Sequence, residues 1–270
     1  MNRALPVLPY YRPIQPSANN HDGVVYEEHL ADNRVRNFIY CYWQLKTATP
    51  LPQDFTYRIV ADGCTDVFFE LASPADSYVM GFSNTYNEFS LGRSFCYVGI
   101  RFLPAMFAQL FKIDASAISN RVEVLDNVTS SAASFIRNNI SGRQDMQGIA
   151  QMLNNHFVQL IARCDWKADD RFFDAVSMIY SNPAIDHIQK TISTGISSRQ
   201  LRRLFEIYVG TSIKTFSKVV RFQYVLGASP SLNSLRSNKP YFDAGYYDQS
   251  HFIKDFTQFS GLTPTNALRT

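Results

Sequence analysis

Two short stretches near the C-terminal end carry the side chains whose types and spacing point to chemistry. They read "GISSRQLRRLFEIYVG" at 195–210 and "GYYDQSHFIKDFTQFSG" at 245–261. Arginine and lysine neutralise phosphates, while arginine, glutamine and serine can hydrogen-bond to the edges of bases. The candidate contact residues are Ser198, Arg199, Arg202, Arg203, Gln249, Ser250, His251 and Lys254. These residue types predict noncovalent recognition of nucleic acid, and no catalysis is implied.

Each stretch also contains the signals that start and stop a helix. A glycine precedes Ser197 or Asp248, whose side chains can accept hydrogen bonds from the free amides of a first helical turn. Ser197 and Gln200 match the reciprocal capping box. Gly210 and Gly261 can close the two helices, because glycine tolerates the left-handed backbone that a helix end requires. The pattern therefore predicts two sharply capped helices.

The apolar residues of both helices recur at helical spacing, which predicts the side that faces the core. The expected buried residues are Leu201, Leu204, Phe205 and Tyr208 in the first helix and Phe252, Phe256 and Phe259 in the second. Arg199 and Arg203 then point outward with Arg202 at the edge, and Ser250 and Lys254 point outward in the second helix. A short helical stretch precedes each copy, so the plan is a helix, a turn and a second helix, twice.

The segment between the copies, "TSIKTFSKVVRFQYVLGA", predicts a linking helix. Its expected inward residues are Ile213, Phe216, Val220 and Tyr224. A continuous helix over 212–228 would span about 25 Å and hold the two units rigidly apart. In a helix-turn-helix unit the second helix enters the major groove of DNA. Two units on such a spacer could read successive segments of that groove.

The charge is divided unevenly along the chain. Residues 171–270 hold 12 Lys and Arg against 6 Asp and Glu, whereas residues 1–170 hold 14 against 17. The net charge of +3 therefore conceals a basic C-terminal part and an acidic N-terminal part. Such asymmetry predicts an anionic partner for the C-terminal part, with nucleic acid favoured over a membrane surface.

The N-terminal half has the pattern of an antiparallel β domain. Aromatic and β-branched runs are separated by turn-forming residues: "RNFIYCYWQL", "FTYRIV", "TDVFFEL", "SYVMGF" and "FCYVGIRFL". A helix follows at "AMFAQLF", and an apolar face from Met146 to Ile161 predicts a helix of about five turns. That face could pack on the β domain or on a second copy, and core packing is the commoner use of such a face.

Composition and cysteine spacing limit the class of protein. Hydrophobic residues make up 46% and charged residues 18%, which suits a folded chain of 270 residues with two cores. Cys41, Cys64, Cys96 and Cys164 lie far apart, so four reduced thiols are expected rather than disulfides or a zinc site. The first 30 residues contain no apolar stretch suited to a signal peptide or membrane span, and a cytoplasmic location is expected.

The C-terminal region from about 171 to 270 resembles the DNA-binding domain of AraC/XylS-type transcription regulators. The resemblance is carried by "SSRQLRRLF", by "VG" followed by "FSKVVRFQ", and above all by "GYYDQSHFIKDFTQFSGLTP". In the N-terminal half, "CYW" at 41–43, "ADGCTD" at 61–66 and "VGIRFLP" at 98–104 resemble the cupin-like module of some such regulators. The resemblance implies double-stranded DNA and RNA polymerase as partners, with a small effector or a second copy bound through the N-terminal module.

The chain departs from the family pattern in the helix before each recognition helix. The usual apolar residue and alanine are replaced by Lys190 and Thr191 in the first unit and by Pro240 and Tyr241 in the second. A proline would make the second of these helices start late or bend.

The sequence thus predicts an α+β chain of two domains. The expected boundaries are a cupin-like β domain at 1–128, a helical connector at 129–170 and a double helix-turn-helix domain at 171–270. Candidate effector-binding residues are Trp43, Arg58, Asp62 and Arg101, for which satisfied structural polar groups are the alternative. No metal or cofactor is expected, because the β region offers only His21 and His29 as histidine ligands.

Two other classes of protein remain as alternatives. One is a cupin-like enzyme or ligand-binding protein, which the absence of GxSxG and phosphate-binding glycine motifs disfavours. The other keeps the fold but uses the helical domain for protein contacts. Salt-dependent retardation of duplex DNA by the chain would separate both from a DNA-binding regulator.

Overall fold

The computed structural model describes residues 10–16, 22–164, 169–184, 195–228 and 240–267. Within these ranges an antiparallel β domain precedes a helical region, which confirms the predicted α+β class. The strands are β1 Val24–Leu30, β2 Ile39–Thr47, β3 Phe55–Ile59, β4 Thr65–Glu70, β5 Ser77–Met80, β6 Asn87–Leu91, β7 Cys96–Phe102 and β8 Val122–Val124. A six-stranded sheet has the order β1-β2-β7-β4-β5-β8, and β3 pairs with β6 in a second sheet.

The alternation of side chains places an aromatic cluster between the two sheets. Along β3, Phe55, Tyr57 and Ile59 are buried, whereas Thr56 and Arg58 lie on the other face. The buried members of this cluster are Tyr40, Cys41, Trp43, Leu45, Leu51, Phe55, Tyr57, Ile59, Met80 and Phe95. The opposite face of the six-stranded sheet supplies part of a larger core that the helices cover.

Helices after the sheet cover that second face. They are α1 Met106–Phe111, a 3-10 helix Ala115–Ala117, α2 Leu125–Val128, α3 Ser130–Asn139 and α4 Met146–Arg163. Asp145 caps α4 by accepting a hydrogen bond from the Gly148 amide at 2.8 Å. The ring centroids of Phe157 on α4 and Phe102 on β7 lie 5.5 Å apart. The apolar face of α4 therefore packs into the core, as predicted, and its exposed side is polar.

The C-terminal region consists of helices joined by short turns in its described parts. Its helices are α5 Asp170–Ser181, α6 Ser198–Val209, α7 Ile213–Gly227, α8 Pro240–Asp243, α9 Gln249–Ser260 and α10 Pro264–Ala267. The rings of Phe172, Phe205 and Phe216 join α5, α6 and α7 at centroid distances of 5.0 and 5.7 Å. The linking helix was predicted correctly in its bounds, but Tyr224 is 53% exposed instead of inward. Gln223 and Arg221 are buried beside it.

Several other expectations can be compared with the described residues. All four cysteines are thiols rather than halves of disulfide bonds, and Cys41, Cys64 and Cys164 are buried. Where the chain is described, no helix combines the length and hydropathy needed to cross a membrane, and no group of three or more His, Cys, Asp or Glu side chains is placed to hold a metal ion. Lys190, Thr191 and His21 lie outside the described ranges.

Candidate nucleic-acid interface

The first recognition helix, Ser198–Val209, is held by the capping box that its sequence predicts. The backbone N–H of Gln200 donates to Ser197 Oγ at 3.3 Å, and the backbone N–H of Ser197 donates to Gln200 Oε1 at 3.1 Å. The helix ends at Gly210, whose φ of 86° is left-handed. Because both ends are fixed, the direction of each side chain on this helix is well defined.

The exposed side of the first recognition helix carries all four predicted contact residues. Ser198, Arg199, Arg202 and Arg203 are exposed, while Leu201, Phe205 and Val209 face the core. None of the three arginines forms an ion pair with another described residue. The guanidinium groups are therefore available to an anionic partner, and the first turn also offers a hydroxyl donor.

The second recognition helix, Gln249–Ser260, follows the same plan. Asp248 Oδ1 accepts a hydrogen bond from the His251 amide at 2.7 Å, and the helix ends at the left-handed Gly261. The buried stripe is Phe252, Phe256 and Phe259, as predicted. Phe256 and Phe259 pack on Phe222 of the linking helix at 5.3 and 5.5 Å. Gln249, Ser250 and Lys254 are exposed on the opposite side.

The structure places His251 differently from the other seven candidate contact residues. Its side chain is half-buried, with Nε2 3.4 Å from Asp255 Oδ2 and its ring 5.3 Å from that of Tyr246. Asp255 is buried and also accepts a hydrogen bond from Lys218 Nζ at 2.8 Å. His251 thus makes contacts within its own domain. The i, i+4 spacing of His251 and Asp255 in the sequence was a signal for this pair.

The short helix before the second recognition helix begins at Pro240 and ends at Asp243. Residues 229–239 lie outside the described ranges, so the late start or bend expected from this proline stays a prediction. Tyr241 is buried, and its ring stacks on that of Phe252 at 5.1 Å. The tyrosine therefore replaces the family's small residue as a packing group.

The β domain contacts the C-terminal ends of both recognition helices. The Ala61 amide donates to Phe259 O at 3.0 Å, and Gln258 Nε2 donates to Asn84 O at 2.9 Å. At the first helix, Gly210 lies so close to the 3-10 helix that an added Cβ would stand 2.8 Å from Ala115 O. These contacts leave the exposed residues of the first turns uncovered by the described parts of the β domain.

Three of the four candidate effector residues come together inside the β domain. Arg101 is buried and binds Asp66 through two hydrogen bonds of 3.0 and 3.1 Å, with Asp62 Oδ2 at 3.5 Å from its Nε. On β2, Cys41 pairs with Arg101 across the sheet. Trp43, two residues further along β2, pairs with Gly99, and its ring covers that glycine. Tyr26 joins the two, because its ring packs on Trp43 and its hydroxyl lies 3.4 Å from Arg101 Nη1.

Asp66, which was not among the sequence candidates, is the main partner of Arg101. Burial raises the pKa of the Asp66 carboxyl to about 6, while the positive charge of Arg101 acts in the opposite direction. Glu28 Oε1 adds a further contact to Arg101 at 3.5 Å. The cluster therefore holds more carboxylates than cations, and Arg101 is its only guanidinium among the described residues.

Arg58 does not join this cluster. Its guanidinium binds Glu88 Oε1 at 2.6 Å and lies 5.6 Å from the ring centroid of Tyr86. Because Arg58 lies on the other face of β3 from the buried aromatic residues, it contributes to the outer surface of the two-stranded sheet.

A loop at 60–64 connects the Arg101 cluster to the linking helix. Gln15 Nε2 donates to Asp62 Oδ2 at 2.8 Å, and Gln223 Nε2 donates to Ala61 O at 2.8 Å. Gln223 Oε1 in turn accepts from the Ile14 amide at 2.8 Å. The segment 10–16 therefore lies between the two domains, where the Tyr11 ring also stacks on Tyr180 of α5 at 4.6 Å.

Comparisons with known proteins agree with this layout in the C-terminal region. Residues 192–270 match a family model described as a helix-turn-helix domain, and residues 27–123 match a domain of unknown function, DUF6597. No curated protein matches the sequence at a significant level.

Solved structures with a similar course of chain include ToxT from Vibrio cholerae O395 (11% identity, 92% of this chain and 98% of that chain, TM-score 0.45). A variant of apo ToxT from Vibrio cholerae strain SCE256 has 12% identity, coverage of 93% and 98%, and a TM-score of 0.44. ToxT bound to an unsaturated fatty acid has 11% identity, coverage of 82% and 97%, and a TM-score of 0.42. Sequence identities and TM-scores this low assign no ligand to the present chain.

Both capped recognition helices lie within the matched residues 192–270, and the motifs that resemble AraC/XylS-type regulators lie there too. The C-terminal region of the chain therefore belongs to the AraC-type helix-turn-helix domains, and it follows an antiparallel β domain.

Proposed function

We propose that this chain is a sequence-specific DNA-binding transcription regulator of AraC/XylS type. The observation that carries the proposal is the pair of capped helices with exposed first turns, which present arginines in one case and amide, hydroxyl and lysine groups in the other. Side chains at the start of a recognition helix meet base edges when the helix enters the major groove. No catalytic role is proposed, and RNA polymerase is the partner that the family resemblance suggests.

The contact residues divide by chemistry. Arg199 and Arg203 suit bidentate contacts to guanine, and Gln249 suits adenine. Ser198, Arg202 and Lys254 suit phosphates and thereby fix the position of the helices on the duplex. His251 contributes indirectly, because its contact with Asp255 supports the second recognition helix.

The β domain is proposed to control how the two recognition helices are held. Its contacts at Phe259, Gln258 and Gly210 fix the ends of both helices. A small effector bound beside Trp43, Asp62 and Arg101 would displace the loop at 60–64, and Gln223 would transmit that change to the linking helix. The proposal also places the domain boundaries at residues 128 and 170. Dimerisation through the β domain is the alternative means of control within the same proposal.

The experiment that tests the function begins by recovering the bound sites. Genome-wide mapping of DNA fragments bound by the full chain supplies a candidate site, and purified protein is then titrated against that duplex and a scrambled duplex of the same composition. The expected result is tighter binding to the mapped site, with affinity for both duplexes falling as salt increases. Equal affinity for the two duplexes would contradict sequence-specific recognition.

A further inference from the structure

Tyr247 is the most exposed large aromatic residue in the ranges that the structure describes, with 86% of its surface accessible. It stands immediately before Asp248, the N-cap of the second recognition helix. No hydrogen bond or ring contact joins its side chain to another described residue. An aromatic side chain of this exposure contributes nothing to the core that the structure shows.

The first unit shows what the corresponding position normally does. There Ile196 lies between Gly195 and the cap Ser197, and its side chain packs against the core. A residue just before the cap often packs in this way on the first turn of the helix.

In the second unit this packing role is taken by a different residue. Tyr246 is buried and its ring packs on that of Phe252 at 5.3 Å, so the anchor directly follows Gly245. The cap Asp248 then comes one residue later than in the first unit. Tyr247 is the additional residue between anchor and cap, and it points into solvent next to Gln249 and Ser250, which are also exposed.

We propose that Tyr247 is a DNA-contacting residue that positions the second recognition helix. Its ring lies against a deoxyribose, and its hydroxyl donates to a non-bridging phosphate oxygen. Tyrosine is among the side chains that contact the DNA backbone, and such contacts fix register without reading sequence. The location just outside the helix suits the backbone flanking the groove, because the first turn of the helix itself faces the bases. This inference deepens the proposed function and depends on it.

The test uses Tyr247→Phe and Tyr247→Ala in the full chain, with Tyr10→Phe and Tyr10→Ala as matched controls. Tyr10 is 79% exposed and lies outside both recognition helices. Affinities are measured on the mapped duplex and its scrambled form at one salt concentration. Tyr247→Phe is expected to weaken binding to both duplexes by about 10- to 100-fold, because it removes a hydrogen bond to a charged group. Tyr247→Ala is expected to lose more, and the Tyr10 variants to stay within about 2-fold of wild type.

A second measurement locates the contacted group. A scan with single neutral methylphosphonates along the mapped duplex is expected to find one position that weakens wild type but leaves Tyr247→Phe unchanged. Full binding by both Tyr247 variants would overturn the inference while leaving the proposed function intact. A loss confined to the mapped duplex would overturn the phosphate contact in favour of base reading. Failure of wild type to bind any duplex would overturn both proposals.

Discussion

Lys218 Nζ donates to Asp255 Oδ1 at 2.8 Å and so ties the linking helix to the second recognition helix. The carboxylate is 1% exposed and the lysine 30% exposed, which makes this pair partly buried. His251 approaches the other carboxylate oxygen. The second recognition helix is therefore held by an internal charge as well as by its phenylalanine stripe.

Removing the cation of this pair should destabilise the helical region. Lys218→Met leaves Asp255 buried without its main partner, and we expect a loss of about 2 kcal/mol in the free energy of unfolding, reduced from the fully buried case by the exposure of Lys218. The change in the free energy of unfolding is measured by urea denaturation, with the helical circular dichroism signal as the probe. Asp255→Asn combined with Lys218→Met should cost less than the sum of the two single changes, and additive costs would show that the pair is not coupled.

Breaking the Arg101 cluster should cost more and should depend on pH. Arg101→Met leaves Asp66 and Asp62 buried without a cation, so we expect a loss of about 3–5 kcal/mol at neutral pH. Removal of Arg101 raises the pKa of Asp66 further above its unfolded value, and folding then favours the protonated carboxyl. Stability lost above that pKa is regained as the pH falls, so a shift from pH 8 to about pH 5 should recover part of it.

Arg58→Met is the control for that experiment, since its pair with Glu88 is partly exposed. We expect a loss of no more than about 1 kcal/mol. An equal loss for both arginine variants, or a loss at Arg101 that does not change with pH, would contradict the account of a buried charge cluster.

Contact between the β domain and the first recognition helix predicts a strong effect at Gly210. Gly210→Ala forces a left-handed alanine and brings its Cβ 2.8 Å from Ala115 O. Gly195→Ala has a similar φ of 75° with no atom within 4 Å, so it measures backbone strain alone. We expect about 1–2 kcal/mol for Gly195→Ala and about 1–3 kcal/mol more for Gly210→Ala in thermal unfolding. Equal shifts would mean that the helix end does not rest on the β domain.

The length of the linking helix predicts the spacing of the DNA site. Fifteen residues, Ile213–Gly227, span about 22 Å. With the flanking turns, this length suits two recognition helices in successive major-groove segments, about ten base pairs apart on a non-palindromic site. Inserting about five base pairs between the two elements should abolish tight binding because it rotates them by about half a turn. Footprinting titrations on duplexes with and without the insertion measure the affinity. Equal affinity for the two duplexes would contradict simultaneous reading by both units.

The capped helices were predictable because their signals are local. Ser197 with Gln200 and the closing Gly210 specify one helix within a few residues, and the structure repeats that pattern. The runs that became β2, β3, β4, β5 and β7 were equally clear, since they are aromatic and β-branched. β1, β6 and β8 were missed because β1 and β6 contain charged or polar residues and β8 is three residues long.

Two further differences came from partners far away in the chain. Helical periodicity placed Tyr224 inward, but Gln223 is buried because Ala61 O and the Ile14 amide satisfy its side chain. Periodicity cannot reveal partners that lie 162 and 209 residues away in the sequence. The same limitation hid Asp66 as the partner of Arg101, although Arg101 itself was a candidate.

The base-reading role of the first recognition helix can be tested with matched charge removals. Arg203→Ala should weaken binding to the mapped duplex by about 1–3 kcal/mol more than binding to the scrambled one. Lys254→Ala should weaken binding to the two duplexes equally, as expected for a phosphate contact, and by less than Arg203→Ala weakens binding to the mapped duplex. Arg143→Ala, an exposed arginine in the loop before α4, serves as the control and should change neither. Equal losses on both duplexes for Arg203→Ala would assign that arginine to the backbone.

The most direct measurement is the affinity of wild-type protein for the mapped and scrambled duplexes across a series of salt concentrations. Recognition through two helices predicts that the logarithm of both binding constants falls linearly with the logarithm of salt concentration. It also predicts a mapped site about 1,000-fold or more tighter than the scrambled one at physiological salt. Two identical curves, or no salt dependence, would contradict sequence-specific DNA binding by this chain.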